Sequence, residues 1–251
     1  MVLNILNIKL EIEYDGSKYF GWQIQKNKPT IQQTIEESLQ LLFPKEKIML
    51  TGAGRTDTGV HALGQVANFK LSGTSFDKFN KDRFLRSLNA ILPADIAVRK
   101  LEVVGESFHS RYSAKKRTYR YYLSTSKRGY DSRKSHFVKT KFDIDLAKEY
   151  CKLLVGNHSF KAFCKNKEDE HDFYCNVYSA GIKKKNDGVF EFEITANRFL
   201  HSMVRAIVGV MIKIASGKLT LNVFKQKFKK GEKLTIQYAL SNALVLYKIK
   251  Y

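Results

Sequence analysis

Apolar and polar residues alternate over residues 8–14, the period of two that is typical of a half-buried β-strand. Over residues 31–43 apolar residues recur every three to four positions, which predicts a helix, and Thr30 and Gln33 have the spacing of a capping box at its start. The remaining predicted elements of this half are strands at 47–51, 65–70 and 96–104 and a helix at about 77–91. The order is therefore β-α-β-β-α-β.

The second half of the chain repeats this order with one extra helix. Asn186-Asp187-Gly188 is a strong hairpin signal, and it lies between predicted strands at 177–184 and 189–196. The other predicted elements are strands at 118–124 and 244–251 and helices at 145–154, 199–215 and 221–229. We therefore predict an α+β protein of two ferredoxin-like units with antiparallel sheets, with domains at residues 1–107 and 108–251.

Composition excludes several classes of protein. Of the 251 residues, 43% are hydrophobic and 12% aromatic, enough to build a core, so the chain is not disordered. Arg205 and Lys213 interrupt the most apolar stretch, which argues against a membrane span. The N-terminus lacks the pattern of a signal peptide, so we expect a cytoplasmic protein.

Cysteine content and net charge indicate the state of the thiols and the class of binding partner. Cys151, Cys164 and Cys175 form no C-x-x-C pair and are expected to be reduced packing residues. The 44 Lys and Arg against 24 Asp and Glu give a net charge of +20, which favours a polyanionic partner such as nucleic acid. The alternative is a lysine-rich surface that is merely solvated. The same two interpretations, an RNA-binding surface or a solvated one, apply to the basic clusters at 115–117, 183–185 and 225–230.

A glycine-bearing segment at residues 52–59 joins two predicted strands. It contains neither G-K-[ST] nor G-x-G-x-x-G, so it is not a phosphate-binding loop of those kinds. Its one carboxylate, Asp57, follows Arg55 and Thr56. From the pattern alone, an Asx turn in which Asp57 caps its own loop is favoured over a catalytic carboxylate. The acidic run at 168–172 is likewise interpreted as a solvated loop, with no metal site expected.

Residues 54–62 (GRTDTGVHA) resemble the signature of tRNA pseudouridine synthases of the TruA family. Other segments match that family in the same order: 14–16 (YDG), 20–23 (FGWQ), 108–114 (FHSRYSA), 117–121 (RTYRY), 197–201 (NRFLH) and 203–209 (MVRAIVG). Two departures are Thr58, where the family usually has Ala, and residues 239–244 (ALSNAL), which lack the Pro and Gly of the family's stretch.

The resemblance implies a fold of two ferredoxin-like halves that flank a central RNA-binding cleft. It implies isomerisation of uridine to pseudouridine at positions 38 to 40 of the tRNA anticodon stem-loop, with Asp57 as the nucleophile. Such a reaction transfers no electrons or groups, so no cofactor is expected. The resemblance also implies a homodimer whose partner is tRNA.

Three further residues receive roles from the resemblance. Arg205 is expected to be the cation beside Asp57, Tyr119 to stack on the flipped base, and Arg55 to hold or displace the target nucleotide. The alternatives are a solvated helix edge for Arg205, a core position for Tyr119 and a surface phosphate contact for Arg55.

A non-catalytic protein with tandem RNA-binding domains is the competing interpretation, because two ferredoxin-like units and a basic surface would describe it equally well. The RNP1 pattern of such domains is missing from the sequence, which weighs against it.

Overall fold

The computed structural model describes residues 5–72, 80–127, 134–165, 168, 170–186, 188–232 and 234–251. The described residues form five α-helices and ten strands, so the protein is of the mixed α/β class. Contacts within the chain separate two compact units, Met1–Lys115 with Leu246–Tyr251, and Lys116–Val245.

The first unit contains a mainly antiparallel sheet in the order β4-β1-β3-β10, with β2 paired to β3. Ile8, Leu10 and Ile12 of the central strand β1 are fully buried, as its alternating pattern predicts. The elements are β1 (Ile5–Tyr14), α1 (Ile31–Leu42), β2 (Thr51–Gly52), β3 (His61–Ser72), α2 (Lys81–Ile91), β4 (Ile96–Val104) and the end of β10 (Leu244–Lys250).

Both helices of this unit begin at a side-chain cap. Thr30 Oγ1 accepts a hydrogen bond from the backbone N–H of Gln33 at 3.4 Å, which confirms the predicted start of α1. The reciprocal half of the capping box is not formed, because the Gln33 amide donates to Glu37 Oε1 at 2.8 Å instead. Asn80 caps α2 in the same way as Thr30 caps α1. The predicted start of α2 at residues 77–79 lies outside the described residues.

The second unit contains a sheet in the order β5-β9-β8-β7, antiparallel at each described pairing, with the short β6 parallel to β5. Tyr150, Phe163, Phe192 and Phe224 are fully buried in the core of this unit. Its elements are β5 (Lys116–Ser124), β6 (His136–Phe137), α3 (Ile144–Leu154), β7 (Gly156–Ser159), β8 (Tyr174–Asn186), β9 (Val189–Ala196), α4 (Met203–Ala215) and α5 (Leu221–Lys230). Asp187 of the predicted hairpin lies outside the described residues.

The three cysteines are free thiols buried in this unit, in keeping with their predicted packing role. Burial raises the pKa of Cys151 and of Cys175 to about 12, so both thiols stay protonated at neutral pH. None of the described helices has the length and apolar character that crossing a membrane requires.

One predicted strand is wrong. Residues 47–51 were expected to form a strand, but β2 consists of Thr51–Gly52 alone. The backbone N–H of Leu50 donates to Glu36 Oε1 at 2.8 Å, and its carbonyl accepts from the Gln32 amide at 3.1 Å. Side chains of α1 therefore satisfy the backbone groups that a ladder would have used.

Candidate active site

The loop that carries Asp57 connects β2 to β3 in the first unit. At its start the Ala53 N–H donates to the Val66 carbonyl at 2.7 Å. At its end the Val60 N–H donates to the Asp57 carbonyl at 3.1 Å and closes a β-turn. Gly59 has a φ of 77° in that turn, a left-handed angle that glycine adopts without strain. The glycine that follows Asp57 by two residues is thus explained by the turn.

Thr56, the residue before Asp57, is tied to the buried interior on two sides. Its Oγ1 shares a 2.8 Å hydrogen bond with the hydroxyl of Tyr14, and its carbonyl accepts from the Trp22 N–H at 3.1 Å. Tyr14 is 3% exposed and Trp22 is 2% exposed, so both anchors lie in the core. The backbone of Asp57 is consequently held by groups that have little freedom to move.

Gly21 brings a second chain segment against this loop. Its φ is 90°, and a Cβ built on it would lie 2.5 Å from the Thr56 carbonyl oxygen and 3.1 Å from the carbonyl carbon of Asp57. A side chain would therefore force the two backbones apart. The same approach allows the Gly59 N–H to donate to the Tyr19 carbonyl at 3.3 Å.

The two charged side chains of the loop differ in environment. Asp57 is half-buried, whereas Arg55 is exposed and donates a hydrogen bond to Gln23 Oε1 at 3.0 Å. A half-buried carboxylate on an anchored loop is partly shielded from water, as a catalytic carboxylate needs to be. Gln23 was not predicted as a site residue, although it belongs to the segment 20–23 that carries the family resemblance.

Tyr119 lies on β5 in the second unit. It is 9% exposed and makes an edge-on contact with Phe199, with 5.2 Å between the ring centroids. Tyr121 and Leu123, two and four residues further along, are fully buried on the same face. The strand face is therefore core at Tyr121 and Leu123, and Tyr119 lies at its least buried end.

Arg205 lies in the first turns of α4, a helix whose other residues are mostly buried. It is half-buried, and its Nε donates to the Ala239 carbonyl at 2.9 Å. Burial raises the pKa of Tyr121 above its ordinary value, while the positive charge of Arg205 works against that rise. Ser202, just before the helix, has a φ of 56°, a strained angle for a residue other than glycine.

The segment that departs from the family, 239–244, packs well without its Pro and Gly. Ala239 is 2% exposed and Ala243 is fully buried, while Leu240 is 51% exposed. The Ala239 N–H also donates to the Arg205 carbonyl at 3.1 Å. On the side of this segment, both contacts with Arg205 are made by the backbone of Ala239.

The predicted site residues thus fall into two pairs, each described within its own unit. Arg55 and Asp57 share the loop of the first unit, and Tyr119 and Arg205 belong to the second unit. Within the described parts of the chain, no group of His, Cys, Asp and Glu side chains is arranged to hold a metal ion. In the acidic run at 168–172, Glu170 and Asp172 lie 2.5 Å and 3.7 Å from Arg198, and Asp169 lies outside the described residues.

Two predicted basic clusters differ in how far their charge is neutralised. Lys183 and Lys185 lie 3.0 Å and 3.8 Å from the carboxylate of the buried Glu191. In contrast, α5 has no acidic residue in its sequence, and Lys230 lies 3.9 Å from Glu232 just after the helix. The positive charge at 225–230 is therefore less compensated than that at 183–185.

A family model described as tRNA pseudouridine synthase matches residues 11–113 and 150–251, well over half of the chain. The chain belongs to the tRNA pseudouridine synthase family. The mixed α/β architecture is consistent with a pseudouridine synthase fold. The matched ranges contain Arg55, Asp57 and Arg205, whereas Tyr119 lies in the stretch that they leave out.

Curated relatives agree with this family over nearly the whole chain. A tRNA pseudouridine synthase A from Thermodesulfovibrio yellowstonii is 40% identical, covering 98% of this chain and 100% of the relative. Proteins of the same name from Borrelia turicatae and Dictyoglomus turgidum are 39% and 42% identical, covering 96% and 90% of this chain and 97% and 91% of the relatives. The protein is accordingly an isomerase of the pseudouridine synthase type that acts on tRNA.

Proposed function

We propose that this tRNA pseudouridine synthase modifies positions 38 to 40 of the anticodon stem-loop, with Asp57 as the nucleophile. The observation that carries the proposal is the loop of the first unit: a half-buried carboxylate follows a threonine that the core holds through Tyr14 and Trp22. This segment combines a carboxylate with a fixed backbone. Such preorganisation is what nucleophilic catalysis requires of a side chain.

The chemistry explains why a carboxylate is needed. The N-glycosidic bond must break and a carbon–carbon bond must form, which a carboxylate assists by attack on the ribose C1′, by attack on C6 of the base or by removing a proton from the sugar. The carboxylate has to be ionised, and partial burial alone would favour its neutral form. We assign to Arg205 the positive charge that keeps Asp57 ionised, and its planar guanidinium suits a carboxylate partner.

Two residues are assigned to the nucleotide. A uridine in a stem must leave the base stack before its glycosidic bond is accessible. We assign stacking of the flipped base to Tyr119, whose ring is braced edge-on by Phe199. Arg55 is assigned to the vacated position or to a flanking phosphate, in keeping with its exposure and its hydrogen bond to Gln23.

The finer architecture and the assembly are also proposals. The element order supports two ferredoxin-like units, with domains at 1–107 and 108–251 that flank an RNA-binding cleft. The family resemblance supports a homodimer, and a tRNA substrate supports a cytoplasmic protein. Sedimentation at micromolar concentration tests the dimer, and a monomer under those conditions would contradict it.

The decisive experiment replaces Asp57 by Asn, which keeps the size of the side chain and removes its charge and its capacity to attack. We expect wild type to form pseudouridine at positions 38 to 40 of unmodified tRNA and Asp57→Asn to form none. Binding of the same tRNA should persist, because phosphate contacts from Lys and Arg dominate affinity.

Thr58→Ala is the matched control, since it alters an exposed neighbour in the same loop to the residue that the family usually has. It should retain activity. Pseudouridine formed by Asp57→Asn would overturn the assigned nucleophile. Modification confined to other tRNA positions would overturn the proposed target while leaving the enzyme class intact.

A further inference from the structure

A segment without regular secondary structure, residues 235–240, runs antiparallel to α4 within the second unit. Three helix residues, spaced four apart, contact the carbonyl groups of every second residue of this segment. Lys213 Nζ donates to the Thr235 carbonyl at 2.8 Å, Gly209 lies against the Gln237 carbonyl, and Arg205 Nε donates to the Ala239 carbonyl at 2.9 Å. We call residues 235–240 the strap.

The match between helix and strap follows from their dimensions. Four residues of an α-helix rise about 6 Å, and two residues of an extended chain span about 6.6 Å. Every second carbonyl of an extended segment can therefore face the same stripe of a helix over a short distance. The three contacts form one continuous register, so displacement at one of them is transmitted to the next.

Gly209 is the point at which the strap comes closest to the helix. A Cβ on Gly209 would lie 1.9 Å from the Gln237 carbonyl oxygen and 3.0 Å from its carbonyl carbon. Glycine weakens the interior of a helix relative to alanine, so its presence in the middle of α4 calls for a packing reason. The close approach of the strap backbone provides that reason.

Both backbone groups of Ala239, its carbonyl and its N–H, bind Arg205. The Ala239 carbonyl accepts from the guanidinium Nε, and the Ala239 N–H donates to the Arg205 carbonyl at 3.1 Å. The first contact restricts rotation of the guanidinium plane, because Nε lies in that plane. It uses one of the five N–H donors of the group.

The C-terminal end of the strap, next to Ala239, is also bound to the strand that carries Tyr119. The Tyr121 hydroxyl donates to the Leu240 carbonyl at 2.9 Å, and Tyr121 is fully buried. The next strap residue after Ala239 is thus attached to β5, two residues from Tyr119. Helix α4 and strand β5 are therefore linked through consecutive residues of the strap.

We propose that the strap is a positioning element that sets the orientation of the Arg205 guanidinium, with Gly209 as the positioning residue that lets the strap approach α4. The proposal rests on the role of Arg205 in the proposed function. The new element is that the strap affects kcat through the orientation of Arg205. Neither Gly209 nor the strap backbone takes part in the chemistry.

The test compares Gly209→Ala with Gly181→Ala. Gly181 is a matched control, because it lies in the same unit and no described heavy atom comes within 4 Å of the place that its Cβ would take. To relieve a 1.9 Å contact, the strap must move by about 1 Å, and a misplacement of about 1 Å can reduce a rate about 100-fold. We expect kcat to fall about 10- to 100-fold in Gly209→Ala, with KM for tRNA within about twofold of wild type. Gly181→Ala should match wild type in both constants.

A double substitution separates positioning from a merely structural effect. If Gly209 acts through Arg205, the double variant Gly209→Ala/Arg205→Met should be no slower than Arg205→Met alone. Independent, multiplicative losses would overturn the strap proposal, as would wild-type kcat in Gly209→Ala. Full activity of Arg205→Met would instead overturn the role proposed for Arg205.

Lys213→Met provides a milder perturbation should Gly209→Ala fail to fold. It removes the contact with the Thr235 carbonyl at the far end of the strap, and Lys218→Met, at an exposed position shortly after α4, is its control. We expect a fall in kcat of about twofold or more that disappears in the Arg205→Met background. A loss that persists undiminished in that background would contradict the strap proposal.

Discussion

The anchoring of the Asp57 loop can be tested at Gly21, a residue that is distant in sequence from Asp57 and has no part in the chemistry. Gly21→Ala adds a single methyl group. At a φ of 90° an alanine is strained, and its Cβ would lie 2.5 Å from the Thr56 carbonyl oxygen. Since real Cβ atoms stay at least 3.0 Å from such atoms, the loop or the Gly21 segment must move.

Two contributions set the size of the effect on stability. The left-handed conformation costs a non-glycine residue about 1–2 kcal/mol. Moving the Thr56 carbonyl away weakens its 3.1 Å hydrogen bond from the Trp22 N–H, which contributes about 1 kcal/mol. We therefore expect Gly21→Ala to lose about 2–3 kcal/mol, which lowers the midpoint of thermal unfolding by about 4–12 °C for a chain of this size.

The effect on catalysis should be larger than the effect on stability implies. At a temperature where the variant is folded, a displaced Asp57 backbone should reduce kcat for pseudouridine formation by about 100-fold. Gly105→Ala is the control, because Gly105 lies in the same unit and the described residues leave open space around its Cβ position. If Gly21→Ala kept wild-type turnover and unfolding temperature, the loop would not be anchored in the way that the contacts indicate.

Three further predictions concern other parts of the molecule. Tyr119→Phe should retain most of the activity and Tyr119→Leu should lose it, because only Phe keeps a ring worth about 1–3 kcal/mol per stacked base; equal turnover in the two variants would contradict a stacking role. Tyr14→Phe and Thr56→Val should each cost about 1 kcal/mol of unfolding free energy, and the double variant should cost less than their sum, whereas strict additivity would mean that the two hydroxyls are not coupled. Burial lowers the pKa of His136 below its ordinary 6.5. As the pH falls through 6.5, the unfolded chain therefore binds more protons than the folded protein, and the free energy of unfolding should decrease. The urea midpoint of His136→Gln should respond less to acidification than that of wild type, and an equal response would assign the effect to other groups.

Local pattern was sufficient to predict most of the helices and strands. The strand at 96–104 was predicted with the bounds of β4, and the helix at 31–43 differs from α1 by one residue at its end. Both are determined by short-range rules, the alternation of apolar residues and the capping of the first turn by Thr30.

Two errors have different causes: side chains of a helix bind the backbone of a predicted strand, and a local turn delays the start of a predicted helix. Residues 47–51 have the composition of a strand, but Gln32 and Glu36 on α1 bind the backbone of Leu50. The apolar helix predicted from residue 199 begins at Met203 instead. The Met203 N–H donates to the Leu200 carbonyl at 3.1 Å, and Ser202 adopts a left-handed angle, so the chain turns before the helix begins.

The sequence by itself determined the family and, through that resemblance, pointed to Asp57, because the segment 54–62 carries its glycines, its threonines and its carboxylate within nine consecutive residues. Nothing in the local pattern related Thr56 to Tyr14 or Gly209 to Gln237. Those contacts join residues 42 and 28 positions apart, and they depend on how strands and helices pack. A sequence specifies which side chains are available for chemistry, whereas their orientation depends on hydrogen bonds and close approaches that exist only once the chain has folded.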